Sequence, residues 1–364
     1  MGDEIRYGVI GTGMMGIEHI NNLLQLPGAR VTAIADPHEQ SRAWAQLAVG
    51  LDTPLAAFES HQELLASGLC DAVVIATPNF THHEVLLDVL RTPHHVMVEK
   101  PLCTTVPHCL EAIEVATSTS EQWPDRVVWM GLEYRYMPPT AAVLHEVRGG
   151  AVGTVQMVAI REHRFPFLPK VGNWNRFNRN TGGTLVEKCC HFFDLMNLLV
   201  GATPVRVMAS GAQDVNHLDE RYDGETPDIL DNAYVIVEYE GGARAVLDLC
   251  MFAEATKNEQ EISVVGPLGK VEAMVGEGIV RLGRRADGMG HYSERPVHDP
   301  AVLHTGMHHG ASYLEHVDFA DAIRTGVAAS VTLHDGLMSV AIGVAAHRSI
   351  AEGRPVTIRE VLGG

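Results

Sequence analysis

Gly11-Thr12-Gly13-Met14-Met15-Gly16 follows a short apolar run and opens a stretch of helical periodicity. That is the strand–turn–helix setting in which a GxGxxG pattern cradles a dinucleotide. Gly11 permits the tight turn, Gly13 lets the backbone approach a pyrophosphate, and Gly16 lets helix and strand pack closely. Met14 and Met15 then sit on the first helical turn, where unpaired N–H groups and the helix dipole favour an anion. Asp36 stands 20 positions beyond Gly16 at the end of the next apolar run. A carboxylate there accepts hydrogen bonds from the adenosine ribose hydroxyls and repels a 2′-phosphate. No Arg follows it in Pro37-His38-Glu39, which favours NAD over NADP. A cap on the helix opening at Glu39 is a second, compatible use of Asp36. Thr77-Pro78-Asn79 and Glu99-Lys100-Pro101 close later apolar runs. Thr77, Asn79, Glu99 and Lys100 are therefore expected at the same carboxyl edge, beside the cofactor, although Asn79 could equally be a turn former. A Lys beside a nicotinamide can donate to a substrate hydroxyl oxygen and stabilise its alkoxide character.

A second constellation is Gly182-Gly183-Thr184-Leu185-Val186-Glu187-Lys188-Cys189-Cys190-His191-Phe192-Phe193-Asp194. On one helix, Glu187 and His191 lie at i and i+4 on one face, with Asp194 three positions on. A carboxylate beside an imidazole raises its basicity and orients it, as a general base for alcohol oxidation requires. Lys188 and Asp194 are candidate substrate contacts on the same stretch. The spacing also fits a surface ion pair or half of a metal site. No further ligands join it: His304 and His308 have i, i+4 spacing, but in a Gly-containing segment, so no metal is expected.

The segment 161–179 carries Arg161, Arg164, Lys170, Arg176, Arg179 and His163, with Glu162 the sole acid. In a chain of net charge −18, that excess suggests either an anion-recognising pocket, with Arg164, Arg176 and Arg179 as bidentate donors, or an interface whose charges pair elsewhere. Trp174 could stack on a sugar face or plug the core. Tyr134, in Tyr134-Arg135-Tyr136, is a weaker candidate contact. His309 and Tyr313 begin a late helix that could close the pocket.

Elements must hold these groups. Apolar runs at 5–10, 30–35, 72–76, 95–98 and 127–130 alternate with helical patterns at 14–26, 39–49, 61–67, 82–90 and 106–117. That rhythm specifies a parallel sheet covered on both faces by helices. After Gly131 it changes. One long helix is expected over 184–200, then strands at 205–210, 233–239, 243–249, 261–265 and 270–274. Turn signals such as Glu240-Gly241-Gly242 separate them and imply a largely antiparallel sheet. Helical patterns return at 310–325 and 334–351. The expected organisation is a Rossmann domain over 1–131 and a substrate-binding α+β domain over 132–364.

Composition agrees. The chain has 364 residues, 46% hydrophobic and 20% charged, with 27 Lys and Arg against 45 Asp and Glu. Such acidity disfavours nucleic acid and anionic membranes as partners. No apolar stretch could span a bilayer and no signal-peptide pattern opens the chain, so a cytoplasmic location is expected. The six cysteines form no CxxC pair and are read as reduced, buried thiols.

These motifs, in this order, resemble the glucose–fructose oxidoreductase/inositol dehydrogenase/MocA family over essentially the full length. The resemblance rests on GTGMMG, Glu99-Lys100-Pro101, Gly182-Gly183 with Glu187-x-x-x-His191-x-x-Asp194, and the tail from Phe319 to Ile358. It implies that Lys100, Glu187 and His191 serve substrate binding and proton transfer, that the peptide before Pro101 is cis, and that homodimers or homotetramers form through the open face of the second sheet. Glu187 departs from the family's usual Asp by one methylene. The expected activity is NAD-dependent oxidation of a ring hydroxyl of a sugar, sugar acid or inositol-like polyol. The alternative is an NAD-dependent glycoside hydrolase working by transient oxidation and elimination, on an anionic glycoside such as a sulfosugar or uronide. A non-catalytic NAD-binding sensor would be expected to lose Lys100 or His191, and both are present.

Overall fold

A computed structural model describes residues 4–364. The chain forms two compact units. One comprises residues up to Glu133 together with Lys170–Trp174 and Pro300–Leu337; the other comprises Tyr134–Pro169, Asn175–Asp299 and Met338–Gly364. The chain first passes between the units at Glu133/Tyr134, and two later segments belong to the first unit.

The first unit is built from β1 (Ile5–Ile10), α1 (Met14–Gln25), β2 (Ala29–Ala35), α2 (Glu39–Val49), β3 (Ala56–Phe58), α3 (His61–Ala66), β4 (Ala72–Ile75), α4 (His82–Leu90), β5 (His95–Glu99), α5 (Val106–Ser118) and β6 (Val128–Gly131). Its sheet has the order β3-β2-β1-β4-β5-β6, parallel throughout. The order reverses between β1 and β4. In open α/β sheets, ligands bind in the crevice at that switch point. The inner strands are apolar because helices cover both faces; all of Ala72–Ile75 is buried. Three-residue β3 lies at the sheet edge and is only half-buried; its Ala-Ala-Phe run is apolar but too short to mark a strand in the sequence.

The second unit adds α6 (Pro138–Arg148), β7 (Met157–His163), α7 (Asn178–Thr181), α8 (Thr184–Glu187), α9 (Cys190–Val200), β8 (Pro204–Ala212), β9 (Asn232–Tyr239), β10 (Arg244–Cys250), β11 (Gln260–Gly266), β12 (Gly269–Met274), β13 (Ile279–Arg284) and β14 (Ser293–Pro296). Then come α10 (Ala311–Thr325) in the first unit, α11 (Leu333–Glu352), and β15 (Val356–Thr357) with α12 (Ile358–Leu362) in the second. The second sheet runs β14-β13-β12-β11-β7-β10-β9-β8-β15. Only β7 and β10 pair parallel; the other pairs are antiparallel.

The segment from 161 begins inside β7, where no strand was expected. β7 alternates correctly, but its third inward position after Val158 and Ile160 is Glu162, fully buried. A carboxylate at a core position interrupts the apolar pattern that would mark the strand. The helix expected over 184–200 is two helices. At the break, Cys189 N–H reaches back to Thr184 O at 3.4 Å and Phe192 N–H to Cys189 O at 3.0 Å, neither of them an i→i−4 bond. No helix among the described residues is long and apolar enough to cross a membrane.

Candidate active site

The glycine loop behaves as its spacing requires. Gly11 has φ +87°, and a Cβ there would lie 2.7 Å from both Ala76 O and Thr77 N. A Cβ on Gly16 would lie 2.0 Å from Gly11 O, so strand and helix meet through bare backbone. A Cβ on Gly13 would meet nothing within 4 Å; that position opens on the crevice and caps α1. Asp36 is buried. One carboxylate oxygen accepts from Thr12 N–H at 2.8 Å and the other from His38 N–H at 2.8 Å. It therefore rivets the glycine loop to the start of α2. A carboxylate has about four lone-pair sites, so two remain for ribose hydroxyls. Arg42 donates to the Asp36 carbonyl at 2.7 Å and pairs with Glu59.

A cleft of about 430 Å³ runs along this edge. Gly11, Gly13, Met15, Asp36, Thr77, Asn79, Glu99 and Lys100 line it. Met14 faces a separate surface groove. The Thr77 hydroxyl and the Asn79 amide nitrogen are buried without hydrogen-bond partners among the described residues. Buried polar atoms are seldom left unmet, so their position on the cleft wall fits a polar ligand that supplies the missing bonds. Glycine cradle, helix N-terminus, ribose carboxylate and unmet polar atoms together suit a dinucleotide.

The Lys100–Pro101 peptide is cis. His82, which the sequence did not single out, lies 2.8 Å from Pro101 O through Nδ1 and 3.0 Å from Thr77 O through Nε2. It ties the Thr77 turn to the Lys100 turn, and burial holds its pKa below the ordinary value. Trp174 lines the same cleft, edge-on to Phe80 at 6.2 Å, with the Lys170 ammonium 4.9 Å from its ring. It thus lines the cofactor crevice, whereas the sequence offered it as a sugar-stacking or core-plugging side chain. His309 has φ +55° just ahead of α10, and Tyr313 is buried in the first turn of that helix.

In the second unit, Glu187 ends α8 and His191 lies in the first turn of α9, both buried. The Tyr134 ring stacks on the His191 imidazole, with centroids 3.9 Å apart and planes 7° from parallel. Lys188 Nζ donates to the Tyr134 hydroxyl at 2.6 Å and lies 3.0 Å from Glu162 Oε1. The buried carboxylate that hid β7 thus anchors Lys188, which fixes the tyrosine, which fixes the plane of His191. Arg135 donates to both oxygens of Asp194, at 2.7 and 2.5 Å. Gly183, with φ +91°, is required because a Cβ would lie 2.3 Å from His347 Nε2. That nitrogen accepts from Leu185 N–H at 3.1 Å and pins α8. Burial lowers the His347 pKa to about 4, consistent with an accepting, neutral ring.

The basic segment finds acidic partners. Arg161 pairs with Asp248 and Glu261, His163 with Asp248, Arg176 with Glu220 at 3.0 Å, and Arg179 with Glu225 at 2.5 Å. Arg164 lies 3.6 Å from Glu162 and over the Phe165 ring. Cys189 and Cys190 are buried free thiols, and burial pushes the Cys189 pKa well up. No cluster suited to a metal occurs among the described residues.

Two family models match the chain. Residues 5–123 match an oxidoreductase-family NAD-binding Rossmann fold, and residues 145–358 match the C-terminal alpha/beta domain of the same GFO/IDH/MocA oxidoreductases. The chain belongs to the GFO/IDH/MocA oxidoreductase family. Its cofactor is NAD. It is 27% identical over 361 residues to a myo-inositol 2-dehydrogenase of Thermotoga maritima, covering 99% of this chain and 100% of that one. A 2,7-anhydro-N-acetylneuraminate hydratase of Mediterraneibacter gnavus is 22% identical over 382 residues, covering 99% and 98%. A solved levoglucosan dehydrogenase, in complex with NADH and levoglucosan, shares the fold with a TM-score of 0.83 at 18% identity, covering 98% and 99% of the two chains.

Proposed function

We propose that this oxidoreductase oxidises a ring hydroxyl of a sugar, sugar acid or inositol-like polyol. The observation that carries the reading is Lys100 on the wall of the crevice that also holds Gly11, Gly13, Asp36 and Thr77. Bound NAD supplies the hydride acceptor. Lys100 donates a hydrogen bond to the reacting hydroxyl oxygen and stabilises negative charge as it develops there. His191 takes the hydroxyl proton, held in plane by Tyr134. Glu187 serves, by family resemblance, as the carboxylate of the acid–base pair. The candidate substrate contacts are Tyr134, Arg164, Arg176, Arg179, Trp174, His309 and Tyr313; Lys188 and Asp194 act indirectly, through Tyr134 and Arg135.

Lys100→Met and His191→Ala should each lower kcat by roughly 10²–10⁴-fold. NAD affinity, followed by fluorescence titration, should stay within about twofold in the His191 variant, since that residue lies on the other unit. Full turnover by His191→Ala would remove it from the mechanism.

The hydratase among the relatives supports a second reading, because adding water to a sugar involves no net oxidation. A transient oxidation followed by elimination, water addition and re-reduction would use the same groups and return NAD unchanged.

A further inference from the structure

Glu99 closes β5 beside Lys100. Its Oε2 accepts the Lys100 backbone N–H at 3.0 Å, and its Oε1 lies 2.9 Å from His19 Nε2. His19 Nδ1 lies 2.8 Å from His316 Nε2. The three side chains come from β5, α1 and α10 of the first unit, and all are buried. The row stops at His316 Nδ1, which has no hydrogen-bond partner among the described residues.

That end fixes the protons. A proton on His316 Nδ1 would be a buried N–H with no acceptor among the described residues, an unfavourable arrangement. A bare lone pair there is better tolerated. With the proton on Nε2, His316 donates to His19 Nδ1. His19 must then donate from Nε2 to Glu99. Every donor in the row meets one acceptor, and the row terminates on an ionised carboxylate. Burial and the nearby His19 keep His316 from taking a second proton, with its pKa well below the ordinary range.

We propose that His19 and His316 are positioning residues for Lys100: their hydrogen-bonded row holds Glu99 as an oriented carboxylate that fixes the Lys100 backbone and serves as the counter-charge of its ammonium. The proposal rests on the reading of Lys100 as the group that meets the substrate oxygen. Neither histidine lines the crevice, whereas Glu99 and Lys100 both do.

The surrounding charges agree. Burial alone would raise the Glu99 carboxyl; the hydrogen bond from His19 and the Lys100 charge outweigh it and hold the pKa at about 2. Titratable groups facing this pair among the described residues include His82 on α4, His308 ahead of α10, and Glu315 and His316 on α10, with Lys170 on the same crevice wall. Burial raises the Glu315 carboxyl well above its ordinary range and so disfavours a competing negative charge there. Without the His19 donor, the buried Glu99 would take up a proton more readily. Its counter-charge would weaken, and Lys100 would lose its proton at lower pH.

The test is competitive acetylation of the Lys100 amine across a pH series, read by peptide mass on the full chain, with and without NAD. In His19→Leu the apparent pKa of Lys100 should fall by about one unit, a tenfold gain in reactivity at a fixed pH below it. His316→Leu should move it the same way by less. His19→Gln, whose amide can donate to Glu99 and accept from His316, should match the wild type. An unshifted Lys100 in both leucine variants, or a fall in His19→Gln as large as in His19→Leu, overturns the proposal. Wild-type protein that never reduces NAD with myo-inositol or any other polyol would instead count against the substrate reading and leave this titration standing.

Discussion

Glu315 illustrates how a single buried acid reports on its surroundings. Its Oε1 accepts from Trp129 Nε1 at 3.2 Å and from Leu132 N–H at 3.0 Å. Burial first, then the nearby carboxylates Glu133 and Glu99, push its pKa well above 4.5. The folded state thus keeps a proton that the unfolded chain releases above about pH 4.5, so this residue's contribution to stability falls as pH rises from there towards the folded pKa. Glu315→Gln preserves the accepting oxygen and removes the titration. It should raise the thermal midpoint by a few degrees at pH 8 and change it little at pH 4; an equal shift at both values would show that the carboxyl is not held protonated. At this scale the sequence disclosed the groups facing the crevice, because Gly, Asp and Lys at strand ends follow a known pattern. It did not disclose His19, His82, His316 or His347. Each is buried against another element, from five to nearly three hundred residues away in the chain, and no local spacing marks a histidine that bonds another element.

At the scale of elements, the glycine loop separates two roles that one motif combines. Gly16→Ala places a methyl group 2.0 Å from the Gly11 carbonyl, so strand and helix must part. Its thermal midpoint should drop by several degrees, with NAD binding lost alongside. Gly13→Ala meets no protein atom within 4 Å and should fold with an unchanged midpoint while NAD affinity falls about tenfold or more. Calorimetry with NAD titration distinguishes the two; a Gly13→Ala protein that binds NAD normally would remove the pyrophosphate from that position. Parallel strands and their helices were legible because buried strands are uniformly apolar. The edge strand Ala56–Phe58 is apolar too, but three residues are too few to stand out as a strand. The helix break at Lys188–Cys189 was not legible, since 184–200 has unbroken helical composition and the interruption accompanies Lys188 reaching Tyr134 and Glu162.

For the whole molecule, one face of the second sheet carries Met157, Met208, Tyr234 and Ile236, all exposed. Strand register places them on the same side. Contiguous exposed apolar side chains on a sheet mark a surface awaiting a partner, and the family resemblance supplies one, a second copy of this chain. Light scattering should report a homodimer or homotetramer, and Tyr234→Glu with Ile236→Glu should reduce its mass; a wild-type monomer would contradict this. The two-part architecture was legible from the change of rhythm after Gly131. The return of Pro300–Leu337 to the first unit was not, because helical periodicity says which face is buried but not against what.

The central claim is net oxidation of a sugar or polyol hydroxyl by NAD. The most direct measurement is a paired assay of purified protein with NAD and a panel of neutral and anionic sugars, inositols and their aryl glycosides, following reduced nicotinamide and free aglycone together. The account predicts NADH accumulating in step with oxidised product and no aglycone. NAD-dependent aglycone release over many turnovers with no net NADH would contradict it and establish the redox-neutral route.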